Sequence, residues 1–292
     1  NDQRGSNSSL FPHIDIMTDG DISSGNFVPY TSLGYELFTY NNGVKNNVFN
    51  VQDNLTLYLG SHTVTAGVSF ENQSARNSYM RNGTGYYRYA SAEDFLNGNL
   101  PLSFVFTYGN NDVTNPAGVV EYNQYGAYLQ DEWNITPRFK LSYGLRADML
   151  AFDESAVMTN NAIKAIDYGG KSIDTGKWPT TRVQVSPRVG FNWDIKGDKS
   201  MILRGGSGLF QGRLPLVFFT NMPQNAGMIQ TTVKYTSSIK DGAVVYPDDV
   251  TAALTALNGG KTTGGTIATS IEDYIKILGL NTTVTPEQGQ IG

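Results

Sequence analysis

The stretch YGAYLQDEWNITPRFKLSYGLR, Tyr125 to Arg146, decides the fold. In its first half Tyr125, Ala127, Leu129, Trp133 and Ile135 recur every second residue; in its second half Phe139, Leu141, Tyr143 and Leu145 do so, with Lys140, Ser142, Gly144 and Arg146 between them. Period two is the period of an extended strand with one apolar and one polar face. Thr136-Pro137-Arg138, between the halves, suits a tight hairpin. Two antiparallel strands are therefore expected at 122–135 and 139–150. Each is long enough to cross a bilayer when tilted, which takes ~9–11 residues.

The same pattern extends in both directions. Upstream, 48–59 and 62–72 form a pair closed by Gly60-Ser61; downstream, 183–195 and 201–211 form a pair closed around Gly197-Asp198. In 62–72 the apolar row is Val64, Ala66, Val68 and Phe70; in 183–195 it is Val183, Val185, Pro187, Val189, Phe191, Trp193 and Ile195. Two carboxylates break their rows: Asp53 among Phe49, Val51, Leu55, Leu57 and Leu59, and Asp131 in the central hairpin. A position near a membrane interface, where a carboxylate costs little, or a local bulge that turns it inward, would accommodate each.

The connections alternate in length. Three tight turns contrast with long links at 73–121, 151–182 and 212–292. Short turns at one end and long loops at the other are the mark of an outer-membrane barrel, with the turns periplasmic. Tyr58, Trp133, Phe139 and Trp193 are expected as an aromatic girdle near the turns. The long links carry helix signals at Ser91–Gly98, Asp249–Gly259 and Ser270–Gly279, the last with Ser270 and Asp273 as a capping pair. A seventh strand is expected if Tyr35–Tyr40 or Ile229–Tyr235 pairs.

Composition agrees. Charged residues are 16% of the chain, below the roughly 25% of soluble domains. With 39% hydrophobic residues, 32 Gly and 17 Tyr, this suits a wall between lipid and water. The net charge of −5 leaves no basic face for nucleic acid. The absence of Cys excludes thiolate chemistry. His13 and His62 have no metal-ligand spacing and are expected as surface imidazoles. Asp19, Asp21 and Asn26 lack the further ligands of a calcium loop. No nucleophile elbow, HExxH or phosphate loop is present, and Gly205-Gly206-Ser207-Gly208 falls inside a strand. Neither an enzyme nor a bound cofactor or metal is expected, although two carboxylates can always converge in space for glycoside hydrolysis.

The central hairpin resembles one found throughout the barrels of TonB-dependent receptors. Ser186-Pro187-Arg188-Val189-Gly190-Phe191-Asn192-Trp193 and Leu203-Arg204-Gly205-Gly206-Ser207-Gly208-Leu209-Phe210 add to the likeness, which is closest to the Oar-like receptors of Bacteroidetes and spans about Val48 to Arg213. The resemblance implies an all-β fold: a transmembrane antiparallel barrel segment of six to seven strands from a larger, 22-strand-type barrel. It implies energised uptake of a siderophore, cobalamin, glycan or peptide across the bacterial outer membrane. The implied partners are outer-membrane lipid and lipopolysaccharide, a plug domain in the lumen, the TonB complex acting through that plug, and a surface lipoprotein. No plug or TonB box is visible in the sequence. The chain opens Asn-Asp-Gln-Arg without a signal peptide and ends in a loop-like run, so an internal segment of a longer receptor is expected.

Two residue sets are candidates for function. Glu132, Lys140, Arg146, Asp148, Arg188, Asp194 and Arg204 fall on polar rows and are expected to face the lumen and its plug. Tyr79, Arg81, Tyr86, Tyr87, Arg88 and Tyr89 gather aromatic faces and guanidinium groups suited to a ligand, although loop packing would use them equally well. Leu216-Val217-Phe218-Phe219 is an apolar patch for a lipoprotein or for capping the barrel. A secreted glycan-binding β protein and a passive porin or adhesin are the alternatives.

Overall fold

The computed structural model describes residues 11–18, 29–111, 115–241 and 243–289. Asp19, Asp21 and Asn26 lie outside the described residues. In chain order the first elements are β1 (His13–Met17), β2 (Pro29–Leu33), β3 (Gly43–Leu59), β4 (His62–Ser78), β5 (Tyr86–Tyr89), α1 (Ala92–Leu96), β6 (Ser103–Gly109), β7 (Gly118–Thr136) and β8 (Phe139–Asp153). There follow α2 (Asn161–Lys164), β9 (Val183–Asp194), β10 (Ile202–Gly208), α3 (Leu216–Gln224), β11 (Gln230–Thr236), β12 (Ser238–Lys240), β13 (Ala243–Val245), α4 (Asp248–Leu257) and α5 (Ile271–Leu278).

The six long strands pair in the order β10-β9-β8-β7-β4-β3, every pair antiparallel. They form an open wall with β3 and β10 at its edges. One face is apolar and bare: Phe49 is 61% exposed, Leu55 60%, Leu129 56% and Leu145 51%, values suited to a surface that something other than water must cover. Along β7 the apolar row runs from Tyr125 to Ile135, ten steps, and at ~3.3 Å per residue and ~40° tilt that is ~25 Å, the height of a barrel's apolar band. Beyond Tyr125 the same row turns polar, at Asn123 and Glu121, and β4 does likewise at Asn72 and Ser74. β3, β4 and β7 begin or end well past the expected limits of 48–59, 62–72 and 122–135 because hydrogen-bonded pairing continues after the apolar pattern stops.

Aromatic rings mark both rims. Phe70 and Tyr125 meet at the far rim with centroids 5.4 Å apart, and Phe139 stacks on Phe191 at 6.2 Å near the turns. Tyr58 does not belong to this girdle: its register partner is Thr63, and alternation puts both on the polar face. Glycines fit the wall where rings cross it. A Cβ at Gly67 would stand 2.5 Å from Tyr128 Cε1, and one at Gly205 2.7 Å from Phe191 Cε1, so each ring lies flat over the opposite strand's glycine.

The long links fold rather than wander. β11-β6-β5-β1-β2 make a second sheet, with β1 and β5 parallel and the other pairs antiparallel. Expected loops at 73–121 and 212–292 thus supply strands to one sheet. Ile229–Tyr235 does form a strand, β11, but it pairs with β6 in this second sheet and not in the wall; Tyr35–Tyr40 forms none. α4 and α5 complete the layer around Tyr87, Phe104, Phe106, Leu254, Leu257 and Tyr274, all at most 1% exposed. Ser270 caps α5 by accepting from Asp273 N at 3.1 Å and donating to Asp273 Oδ2 at 2.7 Å, as expected of the capping pair. Gly279 ends α5 at φ +59°, the left-handed position that favours glycine.

A smaller core closes the far ends of β7 and β8. The rings of Phe152, Trp178 and Phe219 sit 5.7 Å apart in each pairing, and the Trp178 indole N–H donates to Asp153 O at 2.9 Å. The apolar patch is therefore split by α3: Leu216 and Phe219 pack into this core, whereas Val217 and Phe218 stand 53% and 70% exposed. The segment 281–286 ties the layers together, through Asn111 N to Thr282 O and Asn161 N to Pro286 O at 2.9 Å.

Candidate functional site on the polar face of the wall

Alternation along β4, β7, β8 and β9 brings Ser69, Gln124, Arg146, Asp148 and Ser186 to one level of the polar face. Arg146 clasps Asp148 with two parallel bonds, Nε to Oδ2 and Nη2 to Oδ1, both 2.7 Å, and its Nη2 also donates to Ser69 Oγ at 3.2 Å. Gln124 Nε2 donates to Asp148 Oδ1 at 3.3 Å. The Arg146 guanidinium lies 5.9 Å from the centre of the Tyr128 ring, and the Tyr128 hydroxyl donates to Asn54 Oδ1 at 2.5 Å. Gly126 makes the room: a Cβ there would stand 2.5 Å from Ser69 Oγ and 2.6 Å from Arg146 Nη2. Asp148 is only 3% exposed, so a bidentate cation and a neutral amide hold a carboxylate that water barely reaches.

Beside this clasp opens a cavity of about 370 Å³ lined by Asn50, Gln52, Glu71, Arg188, Gln211 and Arg213 among others. Arg188 stacks its guanidinium 4.7 Å over the Phe210 ring and, among the described residues, makes no hydrogen bond. The Gln211 side-chain oxygen is buried and takes no hydrogen bond there either. The face is thus dense in donors and acceptors, and what it can do chemically is hydrogen-bond to a polar surface or solute.

The structure distributes the expected lumen-facing residues unevenly. Arg146, Asp148 and Arg188 converge on the cavity. Lys140 Nζ and Glu132 Oε2 form a half-exposed pair at 2.8 Å nearer the turns. Asp194 is spent on its own turn, accepting from Gly197 N at 2.8 Å and Lys199 N at 3.0 Å. Arg204 stands opposite Asn192, at the level of Lys140 and away from the cavity. Asn54, Ser69, Gln124 and Tyr128 were missed. Their signal in the sequence is weak: glycines at Gly67 and Gly126, each of which makes room for a long polar side chain on a neighbouring strand.

The aromatic loop set is mostly packing. Tyr87 and Tyr89 are at most 2% exposed and lie within the core of the second sheet. Burial pushes both phenols well above their ordinary range. Arg81 sits 5.1 Å over the Phe38 ring, and Tyr79 is 38% exposed. Arg88 Nε donates to the Tyr86 hydroxyl, which donates to Asp15 Oδ2, both at 2.8 Å. Asp15 also accepts from Ser32 Oγ at 2.5 Å and contacts His13 Nε2 at 3.0 Å. His13 is therefore a half-buried network member and no surface imidazole. Burial pushes the Asp15 carboxyl up, but the bonds from Ser32 and Tyr86 and the neighbouring His13 outweigh it and hold it below 3.8.

A carboxylate with a lowered folded value adds stability above its unfolded value and loses it as pH falls through the folded one. The Asp15 contribution is accordingly expected in full above its unfolded value of about 4 and lost as pH falls through the lower folded value. Asp15→Asn should cost about 1–2 kcal/mol at pH 6, seen as faster hydrogen exchange of the β1 and β2 amides. The variant and the natural protein should converge as acid protonates Asp15 in the folded state; a difference that persists unchanged down to acid unfolding refutes the assignment.

His62 also has a partner. On the apolar face its Nδ1 approaches Asp131 Oδ2 at 2.6 Å, the Tyr143 hydroxyl donates to the same oxygen at 2.8 Å, and the His62 ring stacks on Trp133 at 5.1 Å. Asp131 thus stays on the apolar row. The β7–β8 irregularity falls between Asn134 and Thr136 and does not turn it inward.

Among the described residues no helix is long and apolar enough to cross a membrane. The family model described as outer membrane beta barrel domain matches residues 2–277. Comparison with curated proteins and with solved structures found no match. The band height, the bare apolar face and the polar opposite face agree with that match and place the protein in the bacterial outer membrane. With nearly its whole length matched, the chain belongs to the outer membrane beta barrel domain family.

Proposed function

We propose that the chain supplies wall and outer surface to a TonB-dependent receptor of the Oar-like kind, which takes up a ligand with energy drawn through TonB. The observation that carries this reading is the second sheet. The second sheet and its helices build an independent aromatic core on the side of the wall away from the tight turns. A passive pore needs only the wall; a receptor needs a shaped outer surface to select what enters. The Arg146–Asp148 clasp and the donor-rich cavity beside it suit a plug domain seated against the polar face. Val217 and Phe218 suit contact with a surface lipoprotein. The chain performs no bond chemistry in this scheme; its work is recognition and passage.

The test is accumulation of labelled ferric siderophores, cobalamin, oligosaccharides and peptides in cells producing the intact protein, with and without a protonophore. Entry of one class that stops when the proton gradient collapses is the expected result. Entry that continues unchanged would make the protein a passive pore, and surface binding without entry an adhesin.

A further inference from the structure

We propose that the apolar face holds a site for one phospholipid whose headgroup carries a primary ammonium, built from His62, Asp131, Trp133 and Tyr143. The site stands on β4, β7 and β8, three interior strands, so its walls are complete without the sheet edges. A carboxylate on a lipid-facing row is unfavourable unless something compensates it. The chain compensates half of it. Asp131 Oδ2 receives the His62 imidazole and the Tyr143 hydroxyl, whereas Oδ1 is buried and has no donor among the described residues. A buried acceptor left unpaired costs about 1–3 kcal/mol, which a small rotation of the 12%-exposed carboxylate that turns Oδ1 to an outside donor would recover.

The depth fits a headgroup. Asn134 N donates to Ser61 O at 2.8 Å, so the β3–β4 turn ends level with Asn134, while the next hairpin continues to Pro137. Asp131 lies three residues from that rim, ~10 Å along the strand and ~7 Å along the membrane normal. Beside it runs a groove of about 780 Å³ lined by Val64, Ala127, Leu129, Leu145 and Ala147, where the two alanines leave room for an acyl chain between the leucines.

The charge and the rings select the head. An ionised carboxylate only accepts, so His62 Nδ1–H and the Tyr143 hydroxyl both donate to Asp131 Oδ2, and Oδ1 is left as the acceptor for a further donor. A primary ammonium brings three donors and a positive charge, and the Trp133 ring face not covered by His62 adds cation–π attraction. The Trp133 indole N–H, without a partner among the described residues, is free for a phosphate or ester oxygen. A phosphatidylglycerol head has no cation to offer, and a choline head has no N–H.

The inference rests on the outer-membrane family and not on the receptor reading. It is tested by native mass spectrometry of the full polypeptide released from nanodiscs with equal phosphatidylethanolamine, phosphatidylglycerol and phosphatidylcholine. The natural protein should retain one phosphatidylethanolamine about tenfold over the others, as one charge-assisted contact provides. Asp131→Asn should abolish the preference and Trp133→Phe should reduce it. Equal retention by the natural protein, a preference for phosphatidylglycerol, or an unchanged preference in Asp131→Asn overturns the proposal. If Asp131→Asn does not insert, an unchanged preference in Trp133→Phe overturns it in the same way.

Discussion

Tyr274→Ala is expected to unfold the outer layer while the wall stays intact. Tyr274 is fully buried, with its ring 4.9 Å from Phe104, 5.0 Å from Phe106 and 6.4 Å from Tyr87. It is the fully buried residue of α5, with Ile271, Ile275 and Leu278 packed partly buried against the same core. Gly85 beneath it is committed to the ring: its φ is +87°, and a Cβ there would stand 2.8 Å from Tyr274 Cε2. Removing such a side chain costs about 3–5 kcal/mol, a large share of the ~5–15 kcal/mol that hold a domain together. Hydrogen exchange on the nanodisc-embedded protein should show β5, β6 and α5 losing protection, with β7 and β8 unchanged. Tyr274→Phe should cost less than about 1 kcal/mol, because the hydroxyl's bond to Thr84 O is long, at 3.4 Å. If Tyr274→Ala exposes the wall as well, the two layers fold as one unit and the division is wrong.

Breaking the clasp in the wall is the second large effect. Asp148→Ala would leave the Arg146 guanidinium, only 27% exposed, without its bidentate partner. Removing one member of a buried pair costs about 3–5 kcal/mol, but Arg146 borders a wet face, which lowers the expectation to about 2–3 kcal/mol. Gly126→Val should act through the same group, by driving a Cβ into the space of Ser69 Oγ and Arg146 Nη2, at about 1–3 kcal/mol. Glu132→Gln is the control. Its pair with Lys140 has both side chains 38% exposed, and such pairs are worth at most about 1 kcal/mol. Urea unfolding in lipid vesicles measures all three. A Glu132→Gln loss as large as that of Asp148→Ala would mean that lumen charges contribute alike, and the clasp would have no special place.

The two aspartates on the apolar rows show where sequence reading stops. Both interrupt the same pattern, yet they differ in company. Asp131 meets His62 from one neighbouring strand and Tyr143 from the other; among the described residues Asp53, on edge strand β3, is bonded only to the adjacent Asn54 N at 3.0 Å. Nothing within either strand distinguishes them, because the partners are set by register across strands. The buried tyrosines make the same point. Tyr79 to Tyr89 looks like a ligand surface as a string of residues, and β6 just downstream, with β1 and α5 brought from far along the chain, turns Tyr87 and Tyr89 into core.

The wall strands, their faces and their tight turns were legible in the amino-acid order, because period-two alternation is local and a hairpin joins neighbours. So were the caps at Ser91 and Ser270, where a side chain reaches a backbone N–H three residues on. The second sheet was not. It joins β1 to β5 in parallel and β6 to β11 across more than a hundred residues, and such pairings leave no periodic trace in either partner. Only the tertiary structure decided which polar residues on the inner rows converge. Alternation assigns Arg146, Asp194 and Arg204 alike to the polar face. The registers of β7, β8 and β9, with Gly126 left empty between them, give Arg146 a buried carboxylate, Asp194 a turn to cap and Arg204 a place away from the cavity.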